Sequence, residues 1–403
     1  MTTRRDVLRT GLRVGLGAAL AGALPGVSFA SVPGASPLVV VILRGALDGL
    51  AVAPPYGDPD YLGARGAIAI ARPGAAPKGA LDLDGFFGLH PALPRLHERW
   101  LAGELILVHA TASGYRERSH FDGQNVLETG GDRPSGSASG WLNRALAAAG
   151  GGVTGLALGQ NVPLILRGPV PVDSWAPSAL PEVEPELLER LRDLYSNDAT
   201  LSARLDAGSR IDALAEGEMQ GEGDAMRRAK GGGIERLKGI AETAGRLIAS
   251  PGGPRVAVFD AGGWDTHAAE GGADGQLAGR LKGLDEVLDA LKVGLKDEWA
   301  RTAVLVCTEF GRTVEVNGTR GTDHGTGAAA FVVGGAVKGR VVADWPGLAP
   351  RHRYEGRDLK PTTDLRSVAK GLIAAQLKVP ERALADVFPG TDAVRPLKDL
   401  LRT

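Results

Sequence analysis

The 403-residue sequence predicts an α/β protein with a mostly parallel central sheet sandwiched by helices. Short runs that are apolar throughout, such as Leu38–Leu43 and Ala328–Val333, are typical of strands covered on both faces of a sheet. A second observation is the long amphipathic helix predicted over Gln276–Trp299, which lies between the apolar runs Val256–Phe259 and Thr302–Thr308. Because a strand-helix-strand unit of this length is typical of a parallel crossover, we expect these two strands to run in the same direction.

Composition restricts the chemistry. The chain has 46 Lys and Arg against 47 Asp and Glu, so it has no overall field that would attract nucleic acid. Its single cysteine, Cys307, excludes an intramolecular disulfide framework and a cluster of thiolate ligands. A bound metal would therefore be held by histidines and carboxylates.

The first thirty residues resemble an export signal. Arg4 and Arg5 precede a stretch rich in Gly, Ala and Leu, and small residues follow up to Ala30. This order is typical of a twin-arginine signal, which predicts the twin-arginine translocase as a partner during export, cleavage after Ala30 and a periplasmic or extracytoplasmic location. Arg13 and Pro25 interrupt the apolar stretch, so we expect no stable membrane span.

The mature chain, residues 31–403, is long enough for one large domain, and one domain is the expected organisation. Residues 181–250 differ in character, because two charged and helix-like segments, Glu182–Tyr195 and Gly233–Ile248, flank a middle rich in Gly and Glu. We interpret residues 181–250 as a helical insertion whose charged residues form solvated helix faces.

A possible metal clamp follows the strand that begins at Val256. Asp265 and His267 are two residues apart and come after the pair Gly262 and Gly263. In an extended loop this spacing points both side chains to the same side, as two ligands of one divalent cation require. The alternative is an Asp and a His that only cap a loop.

Other predicted strands place polar residues at the same edge of the sheet, because ligands of open α/β sheets gather outside the carboxyl ends of the strands. These residues are Arg44 and Asp48 after the first strand, Glu309 and Arg312 after Thr302–Thr308, and Asp323 and His324 within the Gly-rich heptad before Ala328. Each also has a plain alternative as a turn residue, and Asp before Gly is common in turns.

Ser119 stands at the predicted start of a helix, beside His120 and after Arg116 and Arg118. The free N–H groups of a helix N-terminus stabilise an alkoxide or an anion, and the arginines can bind the outer oxygens of a phosphate or sulfate. His120 can act as a metal ligand or as a base. The alternative is an ordinary serine cap with surface arginines.

Taken together and in this order, these motifs resemble the bacterial twin-arginine-exported family of unknown function numbered 1501, over nearly the whole mature chain. That family is in turn similar to the alkaline phosphatase superfamily, which includes sulfatases and phosphomutases. The resemblance implies an alkaline-phosphatase-like sheet between helices, with two metal ions at the strand ends. By position it implies Asp265, His267 and His324 around one metal, Asp48 and Glu309 at the other, and Ser119 as the nucleophile. Asp323, beside His324, is a further candidate metal ligand. Where the superfamily has an Asp-His pair this chain has Glu309-Phe310, so the second imidazole would have to come from His120.

The predicted function is an exported, metal-dependent hydrolase of phosphate or sulfate esters that acts on a small anionic substrate. The nucleophile would be Ser119 or a metal-activated water, and Arg312, Arg116 or Arg118 would hold the nonbridging oxygens. One or two divalent ions are expected, with zinc favoured and calcium, magnesium or manganese as alternatives. The alternatives for the function are a non-catalytic exported binding or assembly protein, and an isomerase that moves phosphate within one molecule.

Overall fold

The computed structural model describes residues 34–150, 152–177, 185–219 and 233–402. The predicted signal peptide, residues 1–30, lies outside this part of the chain, and so do residues 181–184 and 220–232 of the predicted insertion.

The elements alternate between strands and helices along most of the chain. The strands are β1 (Leu38–Leu43), β2 (Leu81–Asp82), β3 (Gly88–Leu89), β4 (Leu105–Ala112), β5 (Gly155–Leu158), β6 (Asp173–Trp175), β7 (Val256–Ala261), β8 (Ala303–Cys307), β9 (Ala328–Val333), β10 (Arg340–Val342) and β11 (Thr363–Asp364). The α-helices are α1 (Gly49–Val52), α2 (Tyr61–Arg65), α3 (Pro94–Leu101), α4 (His120–Thr129), α5 (Trp141–Ala149), α6 (Pro185–Tyr195), α7 (Ala199–Met219), α8 (Gly233–Ala249), α9 (Gln276–Leu295), α10 (Leu365–Gln376) and α11 (Leu384–Val387).

One nine-stranded sheet organises the fold, in the order β10-β4-β9-β8-β1-β7-β5-β6, with β11 paired to the end of β4. The sheet is mixed, so the prediction of a mostly parallel sheet needs correction: β9 runs antiparallel to both β4 and β8. The reason lies in the connection from β8 to β9. Residues 308–327 contain no helix that could carry the chain back across the sheet, so β9 returns in the opposite direction.

The predicted strand-helix-strand unit is confirmed in direction, because β7 and β8 both run parallel to β1, which lies between them. The helix is shorter than predicted. Helix α9 ends at Leu295, and a 3₁₀ helix, Lys296–Arg301, leads into β8.

Strand β1 is buried on both faces and separates two apolar cores. Val39, Val41 and Leu43 belong to the core that contains residues of α3, α8 and α9, whereas Val40 and Ile42 belong to the core that contains residues of α5, α10 and α11. This alternation follows from the two-residue period of a strand. The expected arrangement of a sheet between two helical layers is therefore confirmed.

The predicted insertion is helical where it is described, as α6, α7 and α8. Helix α8 is part of the main core, since Ala241, Ala244 and Leu247 are buried with residues of α9. Among the described residues, none of the helices is both long enough and apolar enough to span a bilayer.

Candidate metal-binding and anion-binding site

Three side chains from distant parts of the chain meet at one edge of the sheet. His120 is the first residue of α4, Asp265 lies in the loop after β7, and His324 lies in the loop before β9. One ligand atom from each residue lies within 4.8 Å of the other two. His324 reaches this edge because β9 is antiparallel, so that its beginning lies beside the ends of β1, β7 and β8.

The distances within this group, which we call the His/Asp cluster (His120, Asp265 and His324), are short. His324 Nε2 is 3.2 Å from Asp265 Oδ1, and His120 Nε2 is 3.5 Å from Asp265 Oδ2. His267 extends the cluster at its exposed side, because its Nε2 is 3.0 Å from Asp265 Oδ1 and 3.0 Å from His324 Nε2. Four of the residues predicted from sequence are therefore brought together.

Two glycines allow the loops to approach this closely. At Gly45, just after β1, a Cβ atom would lie 2.6 Å from the backbone nitrogen of Asp265, and the φ of +121° also disfavours other residues. At Gly321 a Cβ atom would lie 2.4 Å from the carbonyl of His267. A side chain at either position would push apart the loops that carry the cluster.

The ring of His324 is fixed by a backbone carbonyl. Its Nδ1 lies 2.9 Å from the oxygen of Arg118, and since a carbonyl only accepts, Nδ1 carries the proton and Nε2 of the neutral ring has a lone pair. Arg118 has a φ of +63°, an unfavourable conformation for a residue with a side chain, of the kind that is found at functional sites. Burial lowers the pKa of His324, which favours this neutral form.

The ring of His120 is fixed by Glu309, whose Oε1 accepts from His120 Nδ1 at 2.8 Å, while the ring stacks on Phe310. Burial acts to raise the pKa of Glu309, but hydrogen bonds from His120, Gln124 and the Gly45 N–H outweigh it and hold that pKa below the usual value. In turn, the hydrogen bond to Glu309 raises the pKa of His120. Glu309 therefore remains a carboxylate and aims His120 Nε2 toward Asp265.

A buried cation lies beside the cluster, and some of its N–H groups have no hydrogen-bond acceptor among the described residues. The Arg312 side chain is fully buried, and its Nη2 lies 2.8 Å from Asp265 Oδ1. Its Nε and Nη1 have no hydrogen-bond partner among the residues that the structure describes. Burial acts to raise the pKa of Asp265, but Arg312 and the three histidines lower it, so Asp265 is ionised. A buried guanidinium with free N–H groups can bind an incoming anion.

Asp48, predicted as a metal ligand, is used elsewhere in the fold. Its Oδ1 accepts from the N–H groups of Leu50 and Ala51 and caps α1, and its Oδ2 pairs with the buried Arg65. None of the contacts of Asp48 among the described residues connects it to the His/Asp cluster. The Asp-Gly pattern after β1 here marks the start of a helix.

The serine and arginines before α4 lie in three different settings. Ser119 is the N-cap residue of α4 as predicted, but its hydroxyl makes no hydrogen bond to the helix. Arg116 donates to the Ser113 and Tyr115 carbonyls, and Arg118 pairs with Asp358 at 2.8 Å and with Glu355 at 2.5 Å. The two arginines are thus engaged with the protein, whereas Arg312 has the free N–H groups.

The remaining predicted residues support the cluster from outside. Asp323 is 3.4 Å from His267 Nδ1 and accepts from Asn317 at 3.0 Å. Glu309 holds His120 and has no contact with Asp265 among the described residues. No pattern in the sequence marks Gln124 or Asn317 as part of the site, because a lone amide has no distinctive spacing. The available signal for Gln124 is its position one helical turn after His120, on the same helix face.

The fold and the site define a mixed α/β protein with a cluster of imidazoles and a carboxylate at the edge of its sheet, beside a buried arginine. The chain belongs to the family described as protein of unknown function (DUF1501), whose model matches residues 35–367. Its predicted resemblance to that family is therefore confirmed. No curated protein sequence matches the chain.

Proposed function

We propose that the protein is a metal-dependent hydrolase of phosphate or sulfate esters. The observation that carries this proposal is the convergence of His120, Asp265 and His324 beside the incompletely bonded guanidinium of Arg312. The predicted resemblance to the alkaline phosphatase superfamily, including its fold, is part of the same proposal.

The donor set fits a divalent cation. Nitrogen and oxygen ligands about 2.0–2.2 Å from zinc in a tetrahedral site lie roughly 3.4 Å from one another. His324 Nε2 lies 3.2 Å from Asp265 Oδ1 and His120 Nε2 lies 3.5 Å from Asp265 Oδ2, so each oxygen is at ligand spacing from one ring. His120 Nε2 also lacks a hydrogen-bond partner among the described residues, although it is buried and faces a carboxylate. His120, Asp265 and His324 would hold the ion, with His267 as a further ligand. A cation bound there would act as a Lewis acid on the ester and lower the pKa of the nucleophile.

Arg312 gives the site its preference for an anionic substrate. Its guanidinium keeps N–H groups without a hydrogen-bond partner among the described residues, and these can donate to the outer oxygens of a phosphate or sulfate. Because the guanidinium is buried, its interaction with the substrate is only weakly screened by water. Binding of the nonbridging oxygens there would hold the phosphorus or sulfur atom next to the cluster.

Two nucleophiles fit the site, the hydroxyl of Ser119 and a water molecule. Attack forms a new bond from the nucleophile oxygen to phosphorus or sulfur, while the bond to the leaving oxygen breaks. The nucleophile loses its proton to solvent, and the leaving oxygen takes a proton from solvent. With Ser119 as nucleophile, a second attack by water on the phosphoserine or sulfoserine regenerates the hydroxyl. The N-terminus of α4 would stabilise negative charge on Ser119.

The test combines metal analysis with turnover. The purified protein should contain, or take up, zinc or another divalent metal in stoichiometric amount and hydrolyse p-nitrophenyl phosphate or p-nitrophenyl sulfate. His324→Gln should lower metal content and turnover together, whereas His352→Gln, at an exposed histidine outside the cluster, should change neither. Ser119→Ala should abolish turnover if the hydroxyl is the nucleophile, and leave most of it if water is. A protein that binds no metal and hydrolyses neither ester would instead be the non-catalytic binding or assembly protein.

A further inference from the structure

We infer that a cavity beside the site binds the apolar part of the substrate, so that the preferred ester has an aryl or alkyl leaving group. This inference rests on the proposed function, because it assumes that the ligand is an ester substrate. The binding that it predicts can be measured without turnover. The cavity has a volume of about 670 Å³ and lies between the end of β7 and helices α8 and α9. This size is within the range of roughly 300–1,000 Å³ that is common for small-molecule sites.

The walls of the cavity are mostly apolar. Phe259 and Trp264 lie on the sheet side, Ile234 and Leu237 come from α8, and Val287 comes from α9. Of these, Phe259, Trp264 and Val287 also belong to the buried core, so the cavity extends from the core toward solvent. Such a surface favours an apolar group, because binding there removes the apolar surface of the group from water.

The cavity and the His/Asp cluster lie along the same loop. Gly262 and Trp264 line the cavity, and Asp265, the next residue, belongs to the cluster. Adjacent Cα atoms are about 3.8 Å apart, so the backbone at the edge of the cavity is also the backbone that carries Asp265. Gly262 adds no side chain at this boundary, and a Cβ atom built there would meet nothing within 4 Å. Gly262 therefore leaves open space at the edge of the cavity, on the loop that leads to Asp265.

The charge at this boundary suits an amphiphilic anion. Arg280 lines the cavity and reaches over the loop, because its Nη1 lies 2.1 Å from the position that a Cβ atom of Gly263 would take. It has no ion-pair partner within the described part of the chain, whereas two acidic residues of the lining are paired, Asp260 with Arg44 and Glu286 with Lys238. Glu235 also lines the cavity and pairs with Lys238 at 3.0 Å. An ester whose anionic group pairs with Arg280 and whose apolar group enters the cavity uses both features of this surface.

The test compares two phosphates that differ only in the apolar group. The full chain should bind decyl phosphate at least tenfold more tightly than methyl phosphate in isothermal titration, below the concentration at which decyl phosphate forms micelles. Gly279→Phe should remove this preference without weakening methyl phosphate. Gly279 lines the cavity from α9, and a Cβ atom there meets nothing within 4 Å, so the new ring fills the cavity and not the core. The matched control is Gly63→Phe, at a helical glycine that is equally open and does not line the cavity.

Gly262→Leu provides a second variant in case Gly279→Phe does not fold, which thermal melting would detect. Equal binding of decyl and methyl phosphate by the parent protein, or an unchanged preference in both cavity variants, would overturn the inference. These results are separate from the fate of the proposed function: a protein that prefers decyl phosphate but hydrolyses no ester would keep the apolar site and lose the hydrolase, and a protein that hydrolyses both esters without preference would do the reverse.

Discussion

At the scale of single residues, the orientation of two imidazole rings decides what the site can bind. In both rings the nitrogen Nδ1 is committed to an acceptor of the protein, Glu309 for His120 and the Arg118 carbonyl for His324. Only Nε2 is then left to face Asp265. Hydrogen bonds of this kind fix the tautomer of metal-binding histidines and raise their basicity.

Glu309→Gln tests this arrangement. The amide keeps an oxygen that can accept from His120 Nδ1, but it removes the negative charge that raises the pKa of His120. We expect zinc affinity to fall about 10- to 100-fold, the usual cost of losing such a partner. Competition with a chromophoric chelator measures the affinity. The control is Glu104→Gln, since Glu104 pairs with Arg99 and contacts Trp299 elsewhere in the protein. Zinc affinity within twofold of the parent protein would show that Glu309 does not act through His120.

The sequence predicted the members of the site better than their roles. Asp265, His267 and His324 are predicted because each follows or precedes a strong apolar run at the same edge of the sheet, and His120 because it stands at the predicted start of a helix. The sequence could not distinguish a ligand from a residue that orients one, because both are polar residues at strand ends. Glu309 was expected to bind metal, yet its carboxylate holds His120.

At the scale of elements, a second group of charges joins the loops beneath the site. Asp48 caps α1, Arg65 ends α2, and Glu270 lies in the loop before α9, where Thr322 donates to it at 2.7 Å. All three charged side chains are almost fully buried. Burial and the neighbouring Asp48 raise the pKa of Glu270 to about 8 despite the presence of Arg65. Glu270 is therefore protonated at neutral pH, and one arginine faces a single negative charge.

The buried charges of Asp48, Arg65 and Glu270 make the free energy of unfolding depend on pH. The pKa of Glu270 in the folded protein, about 8, lies above the ordinary glutamate pKa of 4.5 that applies in the unfolded chain. The folded state therefore binds the proton more tightly than the unfolded state does. The stabilisation is complete below about pH 4.5 and is lost as the pH rises to about 8, by up to about 1.4 kcal/mol per pH unit. Glu270→Gln resembles the protonated acid and should remove this slope. Urea unfolding between pH 5 and 9 measures it.

Asp274→Asn serves as the control for Glu270→Gln, because Asp274 is an exposed acid of the same loop region that pairs with Lys78. It should keep the slope of the parent protein. A Glu270→Gln protein that loses stability between pH 5 and 8 as steeply as the parent would mean that another group carries the pH dependence.

At the scale of the whole molecule, apolar patterning predicted the strands well, and β1 and β9 have the bounds that were expected. It could not predict the direction of β9. A central strand is apolar throughout whether it runs parallel or antiparallel to its neighbours, and direction depends on the connection. The same limit applies to Asp48, since a strand end followed by Asp-Gly fits a cap and a ligand equally well.

The fold and the site both join segments that are far apart in the chain. Strand β1 pairs with β7 and β8, which are more than two hundred residues later in the chain, and the His/Asp cluster joins residues 120, 265 and 324. The site therefore exists only in a chain that has folded almost completely. A chain that crosses a membrane already folded would carry this site across intact. The twin-arginine route, which moves folded proteins, is the export pathway that we propose for it.

Replacing both Arg4 and Arg5 by lysine tests this proposal. We expect the parent protein in the periplasmic fraction, shortened after Ala30, and the double variant in the cytoplasm at full length, folded and loaded with metal, because the change affects the signal and no part of the site. Cell fractionation, mass spectrometry and metal analysis of both fractions measure this. Arg9→Lys, outside the pair, should be exported normally. Export of the double variant at the parent level would mean that the chain leaves the cytoplasm by another pathway, and the proposal that it crosses the membrane already folded would then fail.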